Sequence, residues 1–312
     1  MMPIARAGCV VRAGFALLAS RAFSSSSPYV SRVTETLSIL RSRAGAGAGA
    51  SVNEVYLIGT AHVSAASAKE VRELVRVVKP ASVMVELCEE RLRDMRQNMA
   101  VARRQSSSGK ASTPNRSTRT FMVQAARDFA SAFGGGGDAR DGLLGAALKT
   151  MYGFFKLSGL EAGGEFIAAV EEADAMGAVI VCGDRDVRET LRRVRENLSF
   201  GDVVNMATGY EKPGGPPRPH CMEGEMGDVE SVVESLKSRA NIAQMRAFMR
   251  YQMPHITRAF MDERDEIMAD ALIHRCQGER VVAVVGMAHM EGIEQIWDAA
   301  QSQSFQGSRL VS

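Results

Sequence analysis

Four apolar runs in this chain each end in polar residues able to do chemistry. VYLIGTAH ends at His62 and VVAVVGMAH at His289, two aliphatic runs closed by the same Gly-x-x-His. PASVMVELC presents Glu86 after the run at 83–85, and AVIVCGDRD presents Asp184, Arg185 and Asp186 after the run ending at Cys182. At neutral pH an imidazole serves as metal ligand, general base or hydrogen-bonded core residue. A lone strand-end histidine is most often the last of these. Two of them beside a carboxylate fit the two-histidine, one-carboxylate metal site, which leaves coordination positions open. A divalent ion there (Mn, Co or Zn) would acidify water and polarise a carbonyl, the chemistry of a hydrolase acting on a peptide or small-molecule substrate. Glu86 is either the third ligand or the general base. The residues leave both roles open.

Other groups are secondary candidates for the same site. Glu165 follows two glycines at the start of a helical pattern, where it either faces the site or favours the helix N-terminus. The Arg185 guanidinium suits bidentate contact with a substrate carboxylate or with Glu86; its structural alternative is an ion pair with Asp184 or Asp186. In MDERDEIMA, Glu263, Arg264 and Asp265 are consecutive on a helix and cannot all face one way. Arg264 is the expected inward member, with Glu263 second. His220, His255 and His274 lack a Gly turn or strand beside them and are expected to be structural or exposed. There is no His-Glu-x-x-His, no Gly-x-Ser-x-Gly elbow and no Walker loop. The 18 methionines are scattered, which fits adaptable core packing better than a binding box.

The elements that must hold these groups follow from the apolar periodicity. Short β-rich runs read as buried strands, and the glycine after each lets the backbone turn. Between them the spacing changes to three and four. SAASAKEVRELVRVVK puts Val71, Leu74, Val75 and Val78 on one helical face, and GGEFIAAVEEADAMG does the same with Phe166, Ile167, Val170 and Ala173. DVRETLRRVRENL reads as a basic amphipathic helix capped by Asp184 or Asp186. Helical patterns also cover 229–252 and 257–277, and a last one starts at Glu291 and carries Trp297. Strands alternating with helical crossovers imply a parallel arrangement, which delivers all four polar ends to one carboxyl rim. The expected fold class is α/β: a central, mainly parallel sheet flanked by helices, with an additional helical layer between the second and third strands. His62, Glu86, Arg185 and His289 should then line one cleft.

Composition bounds the rest. Lys plus Arg is 38 and Asp plus Glu is 36, a net charge of +2, which gives no electrostatic case for nucleic-acid binding. The five cysteines are scattered without a Cys-x-x-Cys pair, so reduced thiols are expected, with Cys88 and Cys182 buried beside their strands. The start of the chain carries Arg6, Arg12 and Arg21 and no acid before Glu35, the composition of a mitochondrial transit peptide, with a processing site near Phe23 and Ser24. Residues 1–30 are therefore expected to be a mitochondrial presequence, 31–52 a flexible linker and 53–302 the folded domain, followed by a tail at 303–312. Within the domain, 103–119 reads as a low-complexity insertion, and 134–142 and 211–228 as flexible loops. No run of about 18 uncharged apolar residues occurs, so no spanning helix is expected. The segment 142–160, with Lys149 and Lys156 among apolar residues, reads as a buried helix, or as a surface helix for peripheral membrane association.

Taken in order, GTAHVS (59–64), VELCEER (85–91), GGEF (163–166), CGDRDVRETLRR (182–193), MDERDEIMA (261–269) and VVGMAHMEGI (284–293) resemble the TraB domain family. That family includes bacterial pheromone-shutdown proteins, eukaryotic TraB-domain proteins and the animal Tiki branch. The resemblance spans roughly 54–297. It implies a fold related to the erythromycin-esterase and haem-binding ChaN proteins, and a divalent-metal hydrolytic site of the kind the Tiki branch uses as a metalloprotease. On this chain the signature histidines are His62 and His289 and the strand-end acid is Glu86. Eukaryotic intracellular members look like organelle proteins, commonly mitochondrial, with roles in membranes or contact sites. A non-catalytic mitochondrial scaffold or membrane-contact protein is thus the alternative to an enzyme.

Overall fold

The computed structural model describes residues 27–43, 52–60, 65–106, 163–197, 200–219 and 238–307. Its sheet comprises β1 (Val30–Arg32), β2 (Leu37–Arg41), β3 (Glu54–Thr60), β4 (Ser82–Val85), β5 (Val179–Cys182) and β6 (Arg280–Gly286) in the order β1-β2-β3-β6-β4-β5. β3, β6, β4 and β5 are parallel; β1 and β2 add an antiparallel hairpin at the β3 side. The four strands read from the sequence are the four parallel ones, and the class is α/β.

β6 holds the centre because it is buried on both faces. Val281, Ala283 and Val285 enter one hydrophobic cluster and Val282 and Val284 the other. A strand covered on both sides must be apolar at every position, and each such valine contributes about 1.5–3 kcal/mol of transfer free energy. One face carries α1 (Ala65–Val78), α2 (Glu89–Ser106) and α3 (Gly164–Met176), which present Val71, Leu74, Val75, Leu92, Phe166 and Val170 to the sheet. The other carries α4 (Val187–Asn197), α6 (Arg239–Gln252) and α9 (Met287–Gly307), with α5 (Phe200–Thr208) following α4 in the chain. Between α6 and α9 an unbroken helical stretch runs through α7 (Pro254–Thr257), a π-helical turn (Arg258–Asp262), α8 (Glu263–Asp270) and a second π-helical turn (Ala271–Arg275).

Several boundaries differ from the sequence reading. The stretch expected as the linker 31–52 contains most of β1 and all of β2, so the folded domain begins well before residue 53. The reason is burial: Val30 pairs with Leu40, and Leu37, Ile39 and Leu40 join the core. Trp297 fastens the hairpin by donating from Nε1 to Arg41 O at 3.1 Å. α9 starts at Met287, not at Glu291, and ends at Gly307, inside the expected tail 303–312. α6 runs from Arg239, with Ser238 extended before it, and the part of the expected helical pattern at 229–237 lies outside the described residues. Asp186 caps α4 as expected, its Oδ1 accepting from Arg188 N at 2.7 Å. The presequence up to residue 26, the insertion beyond residue 106, the loop at 134–142, the segment 142–160, the remainder of the 211–228 loop from His220 onward, and His62 lie outside the described residues. Among the described residues no helix is long and apolar enough to cross a membrane.

Candidate functional site

Glu86 follows directly on β4, and its N–H donates to Val284 O at 3.1 Å, continuing the ladder with β6 by one residue. Beside it β6 ends at Gly286, whose N–H donates to Glu86 Oε2 at 2.6 Å. The next residue opens α9, so the carboxylate lies at the N-terminus of a 21-residue helix, where backbone amides and the helix dipole favour a negative charge. His289 is in the first turn of that helix. The glycine of the second Gly-x-x-His therefore supplies both the strand-to-helix turn and the amide that holds Glu86. β3 ends at Thr60, in register with Gly286, so the carboxyl ends of β3 and β6 share one edge.

Around Glu86 and His289 the side chains form a buried ionic chain. Arg264 Nη2 donates to Glu86 Oε1, while Arg264 Nε and Nη2 reach Asp184 at 3.1 and 2.9 Å and Nη1 reaches Phe260 O at 3.2 Å. Arg91 Nη1 lies 3.4 Å from the Glu86 carbonyl. On the other side, His289 Nδ1 is 2.6 Å from Asp265 Oδ1, and Arg246 Nη2 donates to Asp265 Oδ2 at 2.7 Å. The Glu86, Arg264 and His289 side chains have no exposed surface. Buried charges are tolerable only when paired and hydrogen-bonded in this way.

Burial would strip the proton from His289, but the Glu86 charge opposes it more effectively than Arg264 assists it. The hydrogen bond to Asp265 adds to the effect, and the His289 pKa is pushed up to about 9. Without a metal His289 is an imidazolium near neutrality. Its Nε2 is 3.4 Å from Glu86 Oε1, an ion-pair distance, and has no hydrogen-bond partner among the described residues. An imidazole with Nδ1 on a carboxylate and a buried, unpartnered Nε2 beside a second carboxylate has the donor arrangement of a metal-ligating histidine. The donors fit a divalent ion in kind. Among the described residues no group of three or more His, Cys, Asp or Glu side chains is placed to hold one; a full set needs a donor from elsewhere, such as His62. Nearby thiols are not nucleophiles: burial pushes Cys88 up and Cys182 up to about 12.

The other expected residues are distributed unevenly. Arg264 is inward and fully buried, as read from the sequence. Arg185 pairs with neither Asp184 nor Asp186 through its guanidinium. Instead its Nη1 donates to Glu263 Oε2 at 2.7 Å, Nη2 to Ala259 O at 2.7 Å and Nε to Thr190 Oγ1 at 2.9 Å. It latches α4 to the helical stretch carrying Arg264. Glu263 is the acceptor of that latch, one residue from the site. Glu165 is buried in the first turn of α3 with its carboxylate folded against Gly163, where a Cβ would collide with it. His255 and His274 are exposed, as expected. Sequence reasoning missed Asp265 and Arg246. Asp265 was set aside because three consecutive helical residues cannot share one face, yet Arg264 and Asp265 are both buried. The helix is enclosed on several sides: Arg264 turns to Asp184 and Glu86, Asp265 to His289 and Arg246.

Residues 221–309, which carry Arg246, Arg264, Asp265 and His289, match the TraB/PrgY/gumN family. A TraB domain-containing protein of Homo sapiens is 27% identical over 269 residues, covering 78% of this chain and 63% of its own length. Over 221–309 the chain is similar to the TraB/PrgY/gumN family, and over most of its length to TraB domain-containing proteins. A TraB domain-containing protein of Bos taurus is 28% identical over 262 residues, and an uncharacterized protein of Methanocaldococcus jannaschii 26% over 246 residues. The chain spans 63% of the length of the mammalian TraB relatives and 53% of the archaeal one.

Proposed function

We propose that this domain is a metal-dependent hydrolase of the peptidase or amidase kind, with its centre at the carboxyl edge of β3, β6 and β4. The observation that carries the reading is the buried, unpartnered Nε2 of His289, facing Glu86 Oε1 while Nδ1 is held by Asp265. His289 and Glu86, with His62 as the further donor, would hold Mn, Co or Zn. Such an ion supplies Lewis-acid polarisation of a substrate carbonyl and acidifies water. Both Glu86 oxygens accept hydrogen bonds, from Arg264 and from Gly286 N–H. Donors on both oxygens fix the carboxylate in place, which favours an anchoring role over proton abstraction. Arg264 keeps its charge because Asp184 and Glu86 outweigh the cost of its burial, and it sets the orientation of Glu86. The purified full-length chain, loaded with each ion in turn, should cleave members of a peptide library. His289→Ala and Glu86→Gln should each remove a group that holds the ion and so lower cleavage by at least the roughly 10–100-fold that losing even a supporting partner of a metal ligand costs. Cleavage that survives both substitutions and chelation would reject this centre.

One observation favours a second reading, a non-catalytic mitochondrial scaffold. Glu86, Arg264 and Asp184 already satisfy one another in a closed cluster, as a structural ion network does. A Glu86/His289 double mutant that folds and still rescues a loss-of-function phenotype would decide for the scaffold.

A further inference from the structure

The metal-centre reading takes the contact of His289 with Asp265 as given and leaves open what holds Asp265 in place. Asp265 Oδ1 lies 2.6 Å from His289 Nδ1, and its Oδ2 accepts from Arg246 Nη2 at 2.7 Å. Arg246 is itself fixed: Nη1 donates to Ala288 O at 2.6 Å, the carbonyl next to His289, and Nη2 reaches Asp262 Oδ1 at 2.9 Å. The carboxylate can move toward neither its histidine nor its arginine without losing the other.

Gly292, one turn beyond His289 on α9, is what admits that carboxylate. A Cβ at residue 292 would stand 1.9 Å from Asp265 Oδ2 and 2.5 Å from its Cγ. Asp265 is too short and too firmly paired to swing aside. Glycine inside a helix is disfavoured relative to alanine, so this position sacrifices helix propensity for access. The Gly in His-Met-Glu-Gly thereby acquires a physical reason.

We propose that Asp265, admitted by Gly292 and clamped by Arg246, is the positioning residue of His289. It keeps a proton on Nδ1 and so directs Nε2 toward Glu86. The inference rests on the metal-centre reading for what Nε2 is aimed at; the Nδ1 contact stands on its own.

The test uses the full-length chain, labelled with 15N-histidine, and Co(II) as the probe ion. The His289 signals are assigned by their loss in His289→Ala. Wild type should show a proton on Nδ1, and Asp265→Asn and Gly292→Ala should each shift or abolish that signal. Gly292→Ala leaves the Asp265 side chain chemically intact and carries the test if Asp265→Asn gives no cooperative unfolding transition. Co(II) affinity should fall by roughly 10–100-fold in either variant, the usual effect of losing such a partner. An Nδ1 signal unchanged in both variants would overturn the proposal whatever the Co(II) affinity does. If wild type takes up no Co(II), the metal-centre reading fails, and the Nδ1 signal alone decides the role of Asp265.

Discussion

At the scale of single residues, the site depends on which charges are left after pairing. Glu86 and Asp184 share Arg264, Asp265 shares Arg246 and His289, and His289 ends with its pKa at about 9. An unfolded histidine titrates near about 6.5. Between those values the native state binds the proton and the unfolded state does not. The stabilisation is complete below about 6.5 and is lost as pH rises through 9, by at most about 1.4 kcal/mol per pH unit. In metal-free protein the urea midpoint should therefore fall between about pH 6.5 and 7.5, below the range where unfolded thiols begin to titrate. His289→Gln should flatten that slope. If the two proteins have parallel profiles, His289 does not hold the extra proton. The residue types that announced this site, His289 and Glu86, were legible because an aliphatic run ending in a polar group is rare and local. Asp265 was not, because its significance lies in a contact with a residue 24 positions away.

At the scale of elements, the parallel strands were legible for the same reason that they are central: burial on both faces leaves an unbroken apolar run. The hairpin was hidden by its composition. Tyr29 to Leu40 mixes its apolar residues irregularly with Ser, Arg, Thr and Glu, and follows directly on an Arg- and Ser-rich start that suggests no fold. The face of α8 was hidden by the π-helical turns on either side of it, which shift the side chains off the 3.6-residue period used to assign faces. What locks the hairpin is Glu294 on α9. Its Oε1 accepts from Ser38 Oγ at 2.7 Å and Arg239 Nη1 at 2.8 Å, and its Oε2 from Arg32 Nε at 3.0 Å, tying β1, β2 and α6 to one buried carboxylate. Glu294→Ala should cost about 3 kcal/mol in urea unfolding, the low end for breaking a buried pair because Arg32 still reaches water. The denaturant slope should not change, since the surface exposed on unfolding is nearly the same. A loss below about 1 kcal/mol would mean that hydrophobic packing alone holds the hairpin.

At the scale of the whole molecule, the question is where the folded unit starts and what the residues before it do. The first described residues are already engaged: Ser27 Oγ donates to Asp298 on α9, Tyr29 packs on the core and Val30 pairs with Leu40. A presequence reaching residue 30 would therefore take part of β1 with it, whereas processing near Phe23 would leave the hairpin whole. The acid-free start bearing Arg6, Arg12 and Arg21 supports a proposed mitochondrial location, because import favours positive charge and an apolar face over a fold. The proposed address and the described fold can be tested separately by cutting at residue 26. A chain lacking 1–26 should unfold at the wild-type urea midpoint but no longer co-localise with mitochondria when tagged at its C-terminus. A chain lacking 1–35 should lose stability as well, since it discards β1 and with it the Val30 contact and the Arg32 to Glu294 bond. Mitochondrial localisation that persists without residues 1–26 would place the address in the folded domain, and recruitment through its surface would replace import as the explanation.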